Sequence, residues 1–323
     1  EVFLASPAMI NLSYMDLGRI EVLKGPQGTL YGRNATGGAV NIVSAKPTDE
    51  FEGFVSVSLG EYETTLVEGA ISGPLTDNLS GRISFMYDGQ GENFHSYHKD
   101  GGGMGEFNDL ETYGFRAQLG GNTDNLTWNL KVEYLDQDMG NSPFTAVGGW
   151  WNSIDEVFVT PCQGALNNCV STLGIDVSDQ DGDPFTHNFT NSRVDEMNIA
   201  SEVTGATFNF TYDFDAFSLT SISSMIQQDR DFGENIWSND LEFFAVYHEE
   251  EMDQWSQEFR LSGELGMAQW IAGVYFWNDT YKSDNIANSE WILGLLAGLN
   301  PLDWKVDQET DAYALFASVD WQL

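Results

Sequence analysis

From residue 51 onward the chain alternates apolar and polar residues in steps of two, and it does so over segments too long for an ordinary soluble sheet. In Leu126 to Tyr134, Leu126, Trp128, Leu130, Val132 and Tyr134 share one face, while Thr127, Asn129, Lys131 and Glu133 share the other. Leu79, Gly81, Ile83, Phe85 and Tyr87 oppose Ser80, Arg82, Ser84 and Asp88 in the same way, and Tyr313, Leu315, Ala317, Val319 and Trp321 repeat the pattern. About ten strands are predicted, at 52–60, 64–73, 78–89, 111–120, 125–138, 194–212, 216–231, 251–264, 268–281 and 308–323. In 267–281 both faces are apolar, and inside cannot be told from outside.

The connections constrain the fold further. Tight Gly/Asp/Asn-rich turns at 74–78, 121–125, 213–216 and 264–267 alternate with long connections at 89–110, 139–193, 232–250 and 282–307; only the hairpin at 60–63 adds a short one. Strict alternation puts every long connection on one side of the sheet and every tight turn on the other, the asymmetry of an outer-membrane β-barrel. Soluble sandwiches alternate too, but their strands usually run about five or six residues. Trp128, Tyr134, Tyr212, Trp255, Trp270, Trp277, Tyr313 and Trp321 fall near strand ends, where an interfacial aromatic girdle is expected. The best apolar run, 291–299, is about half a membrane helix, so a membrane role must use strands.

Charge narrows the function. The 323 residues carry 13 Lys and Arg against 50 Asp and Glu, a net charge of −37, which excludes a nucleic-acid binder. Residues 1–47 hold four of the cations and three of the acids, so the whole excess lies beyond Lys46-Pro47, and a boundary is predicted there. The chain begins at Glu1 without an initiator Met or signal-like core. Cys162 and Cys169 are the only cysteines. They lack the C-x-x-C spacing of a zinc site and suit a loop-closing disulfide in an oxidising compartment, with free thiols the alternative.

Residues 19–45 read Arg-Ile-Glu-Val-Leu-Lys-Gly-Pro-Gln-Gly-Thr-Leu-Tyr-Gly-Arg-Asn-Ala-Thr-Gly-Gly-Ala-Val-Asn-Ile-Val-Ser-Ala. This predicts a strand over Ile20 to Leu23, a Gly-Pro turn, a glycine-rich segment, and a second strand over Ala39 to Val43. A nucleotide-binding loop is ruled out, since neither G-K-[ST] nor G-x-G-x-x-G stands between a strand and a helix. Glu21, Gly25, Pro26, Tyr31, Gly32, Gly37, Gly38 and Asn41 carry a close resemblance to the end of the plug domain of TonB-dependent outer-membrane receptors, with Lys24 where Arg is commoner.

The resemblance implies an all-β membrane protein: the C-terminal part of a plug over residues 1–47, then the N-terminal part, residues 48–323, of a barrel of about 22 strands. It implies further plug residues upstream and further strands downstream. The implied function is energised uptake of a scarce nutrient, most often a ferric siderophore, driven by the proton gradient through TonB and its inner-membrane motor. Outer-membrane lipid is the surrounding solvent. No catalysis, cofactor or resident metal is implied. A passive porin would leave the plug motif unexplained, and a soluble β-rich carbohydrate-binding protein would require the long strands to be over-assigned.

A plug must be held yet movable, which calls for polar contacts. Arg19 and Arg33 are two of its four cations, and Glu258, predicted to face the lumen opposite Phe259, is the expected partner. Phe144, Trp150, Trp151 and Phe158 in the longest connection are candidate ligand contacts. Asp179-Gln-Asp-Gly-Asp183 misses the EF-hand spacing and reads as solvated acid. His95 and His98 lack a third ligand. The excess acid is expected mainly in lumen and extracellular loops.

Overall fold

The computed structural model of the chain describes residues 2, 4, 9, 14–25, 37–91, 94–97, 103–107, 109–140, 150–152, 157–159, 188–189, 198–235, 245–288 and 302–321. Where glycine and Pro give way to alternating Ile and Val, β1 (Leu17–Lys24) and β2 (Gly38–Ser44) pair antiparallel, with Glu21 opposite Asn41. Then come β3 (Glu52–Leu59), β4 (Thr65–Thr76), β5 (Leu79–Gln90), β6 (Phe94–Tyr97), β7 (Gly103–Phe107), β8 (Leu110–Asn122) and β9 (Leu126–Met139). The chain continues with β10 (Trp150–Asn152), β11 (Val157–Val159), β12 (Asn188–Phe189), β13 (Ile199–Asp213), β14 (Ser218–Asn235), β15 (Ala245–Leu265), β16 (Ala268–Asn288) and β17 (Leu302–Trp321).

Ten of these form one sheet, β3-β4-β5-β8-β9-β13-β14-β15-β16-β17, antiparallel throughout, with β3 and β17 at its edges. They are the ten strands predicted from the alternation. The small strands pair among themselves, β10 with β11 and β12-β6-β7 as a three-stranded sheet. Tight turns 77–78, 123–125, 214–217 and 266–267 line one rim, and the strand ends at 59, 65, 90, 110, 139, 199, 235, 245, 288 and 302 line the other. Gly266 takes a left-handed φ of 64° in the last of the tight turns, a conformation that a residue without Cβ adopts at no steric cost.

The wall is polar inside and oily outside. Ser72, Arg82, Ser84, Arg116, Glu133, Ser201, Thr207 and Ser256 are buried on the inner face. Outward, Ile83, Phe115, Val132, Phe208, Met225, Trp255, Phe259, Phe276 and Leu315 are exposed. Water would not tolerate so large an apolar surface, whereas lipid requires it. The register settles the segment that alternation left open: Trp270, Ala272, Val274 and Phe276 point out, while Tyr275 and Trp277 point in. Trp277 is 3% exposed and therefore does not belong to the girdle on which it was expected.

The later strands outrun their predicted ends. β15 starts at Ala245 and β16 continues to Asn288, where loops were expected from 232 to 250 and from 282 to 307. Above Trp255 the outward residues become Asp253, Glu251 and Glu249, so the apolar signal stops although the ladder of backbone hydrogen bonds continues. These acids, with Asp229, Asp231, Asp307, Glu309 and Asp311, stand exposed on the outer face above the apolar belt. Among the described residues these eight acids therefore stand on an outward collar, a place that the expectation of acid in lumen and loops did not include.

Candidate functional site: the plug seat and the lumen wall

The chain arrives at β1 through Asp16, whose φ of 49° is left-handed, a conformation Asp adopts more readily than most residues with a side chain. The turn aims its backbone amide at Glu68 Oε1, 2.7 Å away on β4. Its carboxylate receives both prongs of Arg82 from β5, Nε to Oδ2 at 2.7 Å and Nη2 to Oδ1 at 2.6 Å. Arg82 Nη1 also reaches Glu52 Oε1 at 3.0 Å on β3. With side-chain exposures of 7% and 2%, Arg82 and Asp16 form a buried, bidentate pair between the segment leading into β1 and the wall. Removing one partner of such a pair costs about 3–5 kcal/mol, because the other charge is stranded.

A second anchor sits one residue upstream. Arg116 on β8, fully buried, donates from Nη1 to the Met15 carbonyl at 2.5 Å and from Nε to Glu133 Oε2 at 2.8 Å. Lys131 closes on the other oxygen of Glu133 at 2.8 Å. Gly114 on the same strand leaves room for Met15, whose Sδ lies 3.3 Å from where a Cβ would stand. The far end of the β1–β2 pair is tied to the same place: the Ala45 amide donates to the Asp16 carbonyl at 2.9 Å. Gln118 Nε2 donates to the Ala45 carbonyl at 2.7 Å, and the Thr48 amide to Ser72 Oγ at 2.9 Å. Nearer the open rim, Met9 is buried among Leu135, Val203 and Ile226 of the inner wall.

Of the two cations expected to meet Glu258, Arg33 lies outside the described residues and Arg19 is arranged otherwise. Glu258 does face inward, but Oε1 accepts from Arg260 Nε at 2.7 Å, two residues along its own strand, and not from Arg19. Arg19 Nε donates to Glu21 Oε1 at 2.5 Å, and Asn41 Nδ2 donates to Glu21 Oε2 at 2.8 Å. These three motif residues thus tie β1 to β2, and the hydrogen bond from Arg19, then that from Asn41, hold the Glu21 carboxyl below its ordinary range. The base of β1 is held by β4, β5 and β8, several strands from Glu258, and the polarity is reversed: the segment before β1 supplies the acid and the wall supplies the arginine. Asp16 and Arg116 were missed in sequence. The available signal was the wet-face position of Arg82, which marks a cation inside a filled lumen.

Gly25 and Gly38 take φ of 86° and 147°, and the Gly25 amide donates to the Gly37 carbonyl at 3.3 Å, closing the neck of the loop. Pro26, Tyr31, Gly32, Arg33, Phe144, His98, Cys162 and Cys169 lie outside the described residues. Trp150, Trp151 and Phe158 belong to the β10–β11 ladder, where Trp151 is the register partner of Phe158, and His95 lies on β6. Among the described residues no three His, Cys, Asp or Glu gather to hold a metal ion.

Above the row where Met9 packs, β14, β15 and β16 turn a second polar cluster inward. Tyr281 donates its hydroxyl to Glu250 Oε1 at 2.6 Å, and Arg230 approaches Glu250 Oε2 at 3.4 Å. Arg230 Cζ lies 4.2 Å from the Phe232 ring centroid, and Phe232 stacks on His248 with centroids 4.3 Å apart and planes 10° from parallel. His248 Nδ1 is 2.6 Å from Asn285 Oδ1.

Residues 4–39 match the family model described as TonB-dependent Receptor Plug Domain. The chain is 41% identical over 71 residues to the Ferripyoverdine receptor of Pseudomonas aeruginosa, a match covering 21% of the chain and 9% of that protein. It is 38% identical over 64 residues to the Pesticin receptor of Yersinia pestis, covering 20% of the chain and 10% of the relative. The matched stretches thus span only about a tenth of these relatives. Among solved structures, the ferric yersiniabactin uptake receptor of Yersinia pestis superposes with a TM-score of 0.70 at 17% identity, over 95% of this chain and 42% of that one. The ferripyoverdine receptor of Pseudomonas aeruginosa bound to ferripyoverdine gives 0.67 at 16% identity, over 94% and 39%. The family model covers the strand that is clamped, and the wall that clamps it shares the fold of solved TonB-dependent outer-membrane receptors.

Proposed function

We propose that the complete receptor takes up a ferric siderophore across the outer membrane, with energy relayed from the inner-membrane proton gradient by TonB. The observation that carries this reading is the seat at Asp16: an inward ion pair fastens a plug segment to the lumen wall through polar contacts, which water can replace one by one when the segment is pulled. A greasy seal would resist such stepwise release, and an empty pore would need no seat. The relatives' names, Ferripyoverdine receptor and Ferric enterobactin receptor among them, supply the ligand class. Residues 1–47 then act as the end of the plug and 48–323 as part of the barrel. Phe144, Trp150, Trp151 and Phe158 would meet ligand from the long connection. The protein acts as a transporter, without covalent chemistry.

The test is uptake of radiolabelled ferric siderophores by cells whose only siderophore receptor is the complete protein. Accumulation should require TonB and collapse with a protonophore. Uptake that persists without TonB and follows the outside concentration would establish a passive porin instead.

A further inference from the structure

The outward face of β14 and β15 carries polar side chains inside the apolar belt. On β15, Gln257 stands between Trp255 and Phe259, below the level at which the outward acids begin at Asp253. Its register partner on β14 is Ser223, and Ser221 lies on the same face one step further down. Strands in such a wall rise about 3.3 Å per residue and tilt about 40°, so Gln257 sits about 5 Å below Trp255. The strand ends that lead into the long connections face outward from the cell, which places Gln257 among the acyl chains just under the headgroups of the outer leaflet.

The three polar groups bind one another. Ser223 donates its hydroxyl to Gln257 Oε1 at 2.5 Å, while Gln257 Nε2 donates to Ser221 Oγ at 3.0 Å and to the Glu258 carbonyl at 3.1 Å. A backbone carbonyl can only accept, so the orientation of the amide is fixed and both its protons are spent. Oε1 keeps a second lone pair, for which no described residue supplies a donor. On a lipid-facing surface such an acceptor meets no water, and a plain hydrocarbon chain has no proton to give it.

Shape adds to chemistry. Ser221 lies between Phe210 of β13 and Phe259 of β15, Ser223 lies between Phe208 and Gln257, and Phe276 of β16 stands beyond Gln257. Ser221 is buried, whereas Phe208, Phe259 and Phe276 stand exposed. Small side chains on β14 between large ones on its neighbours make a furrow along the strand, with a hydroxyl floor, aromatic sides and a carboxamide near its upper end.

We propose that this furrow holds one acyl chain of an outer-leaflet lipid, a chain that carries a hydroxyl close to its ester. The chain O–H donates to Gln257 Oε1, and the methylenes lie between the phenylalanines. An unsubstituted chain fills the furrow but leaves the acceptor unpaired, and an ester carbonyl has no proton to offer. A second barrel presents a broad pleated face, which the phenylalanine ridges hold away from the floor. The site depends on the lipid-facing wall alone and not on what the receptor carries.

The experiment is native mass spectrometry of the purified complete receptor, equilibrated with an equimolar pair of phosphatidylglycerols that differ only in a β-hydroxyl on the acyl chains. The wild type should retain the hydroxylated lipid about fivefold over its plain counterpart, as one hydrogen bond would give. Gln257→Leu and, independently, Gln257→Met should bring the two lipids to parity; heat-modified gel migration verifies that both barrels fold. Parity in the wild type, or a preference that survives both variants, would overturn the site. Dimers formed by the wild type and lost in both variants, with no lipid preference, would give the furrow to a second barrel and overturn it as well.

Discussion

Asp16 is tied to three strands at once: its amide to β4, its carboxylate to β5, and through Arg82 to Glu52 on β3. Arg82→Ala strands a carboxylate that is 2% exposed and should loosen the seat by about 3–5 kcal/mol. The readout is protease cleavage near residue 16 and entry of large antibiotics in cells carrying the complete receptor. Adding Asp16→Asn should restore much of the loss, because no buried charge is then left alone. Gly114→Leu fills the space beside Met15 Sδ and should cost about 1–3 kcal/mol through overpacking, seen in the same two assays. Glu21 adds a pH dependence. Its pKa is depressed in the fold, so its contribution is present above the ordinary Glu value of about 4 and is lost as pH falls through the lower folded value. Acid titration by carboxylate-resolved infrared spectroscopy should show this loss, and Glu21→Gln should abolish that step. At this scale the sequence was partly legible. Period-two alternation put Arg82 and Glu258 on the wet face, but a face is not a partner. Arg82 finds Asp16 66 positions away, and Glu258 is satisfied two positions away by Arg260, which the same alternation puts on its side of the strand.

Each strand of the wall keeps two solvents apart. Along β15, Trp255, Phe259 and Leu261 are exposed outward while Gln254, Ser256 and Glu258 are buried inward. Phe259→Arg places a charge within the apolar belt and should destabilise the folded barrel by about 2–4 kcal/mol, whereas Asp253→Arg, outward but above the belt, should change it by no more than about 1 kcal/mol. Urea unfolding of the complete receptor from lipid vesicles measures both. All ten wall strands were readable because lipid forces the apolar set to alternate. Their upper ends were not, because past Trp255 both faces of β15 meet polar surroundings and alternation loses its cause. The opposite failure occurs in 268–281, where Tyr275 and Trp277 bring aromatic surface into the lumen.

For the molecule as a whole, part of the acid behind the net charge of −37 stands outside the rim and not in the passage. Asp229, Glu251, Asp253 and Glu309 face away from the lumen, with the wall between them and any ligand. Exposed charges are screened over about 8 Å at physiological salt. Replacing all four by Asn or Gln should therefore leave ferric-chelate affinity within about twofold, as titrations at physiological salt would show. The wall also rises along the chain, from 8 residues in β3 to 21 in β15 and β16. The short strands β5 and β9 feed the connections 91–109 and 140–198, while the tall ones are joined by 236–244 and 289–301. The mouth therefore has two sides: one a parapet of paired backbone, the other short strands whose sequence runs on into long connections, a hedge in the sequence. Insertions and exchanges are tolerated in connections and not in ladders. A lineage of such receptors could change what it admits by rewriting the hedge while the parapet, with Phe232 and His248 set in it, stays in register. Grafting 140–198 from another receptor should accordingly alter ligand choice without disturbing the assembled wall.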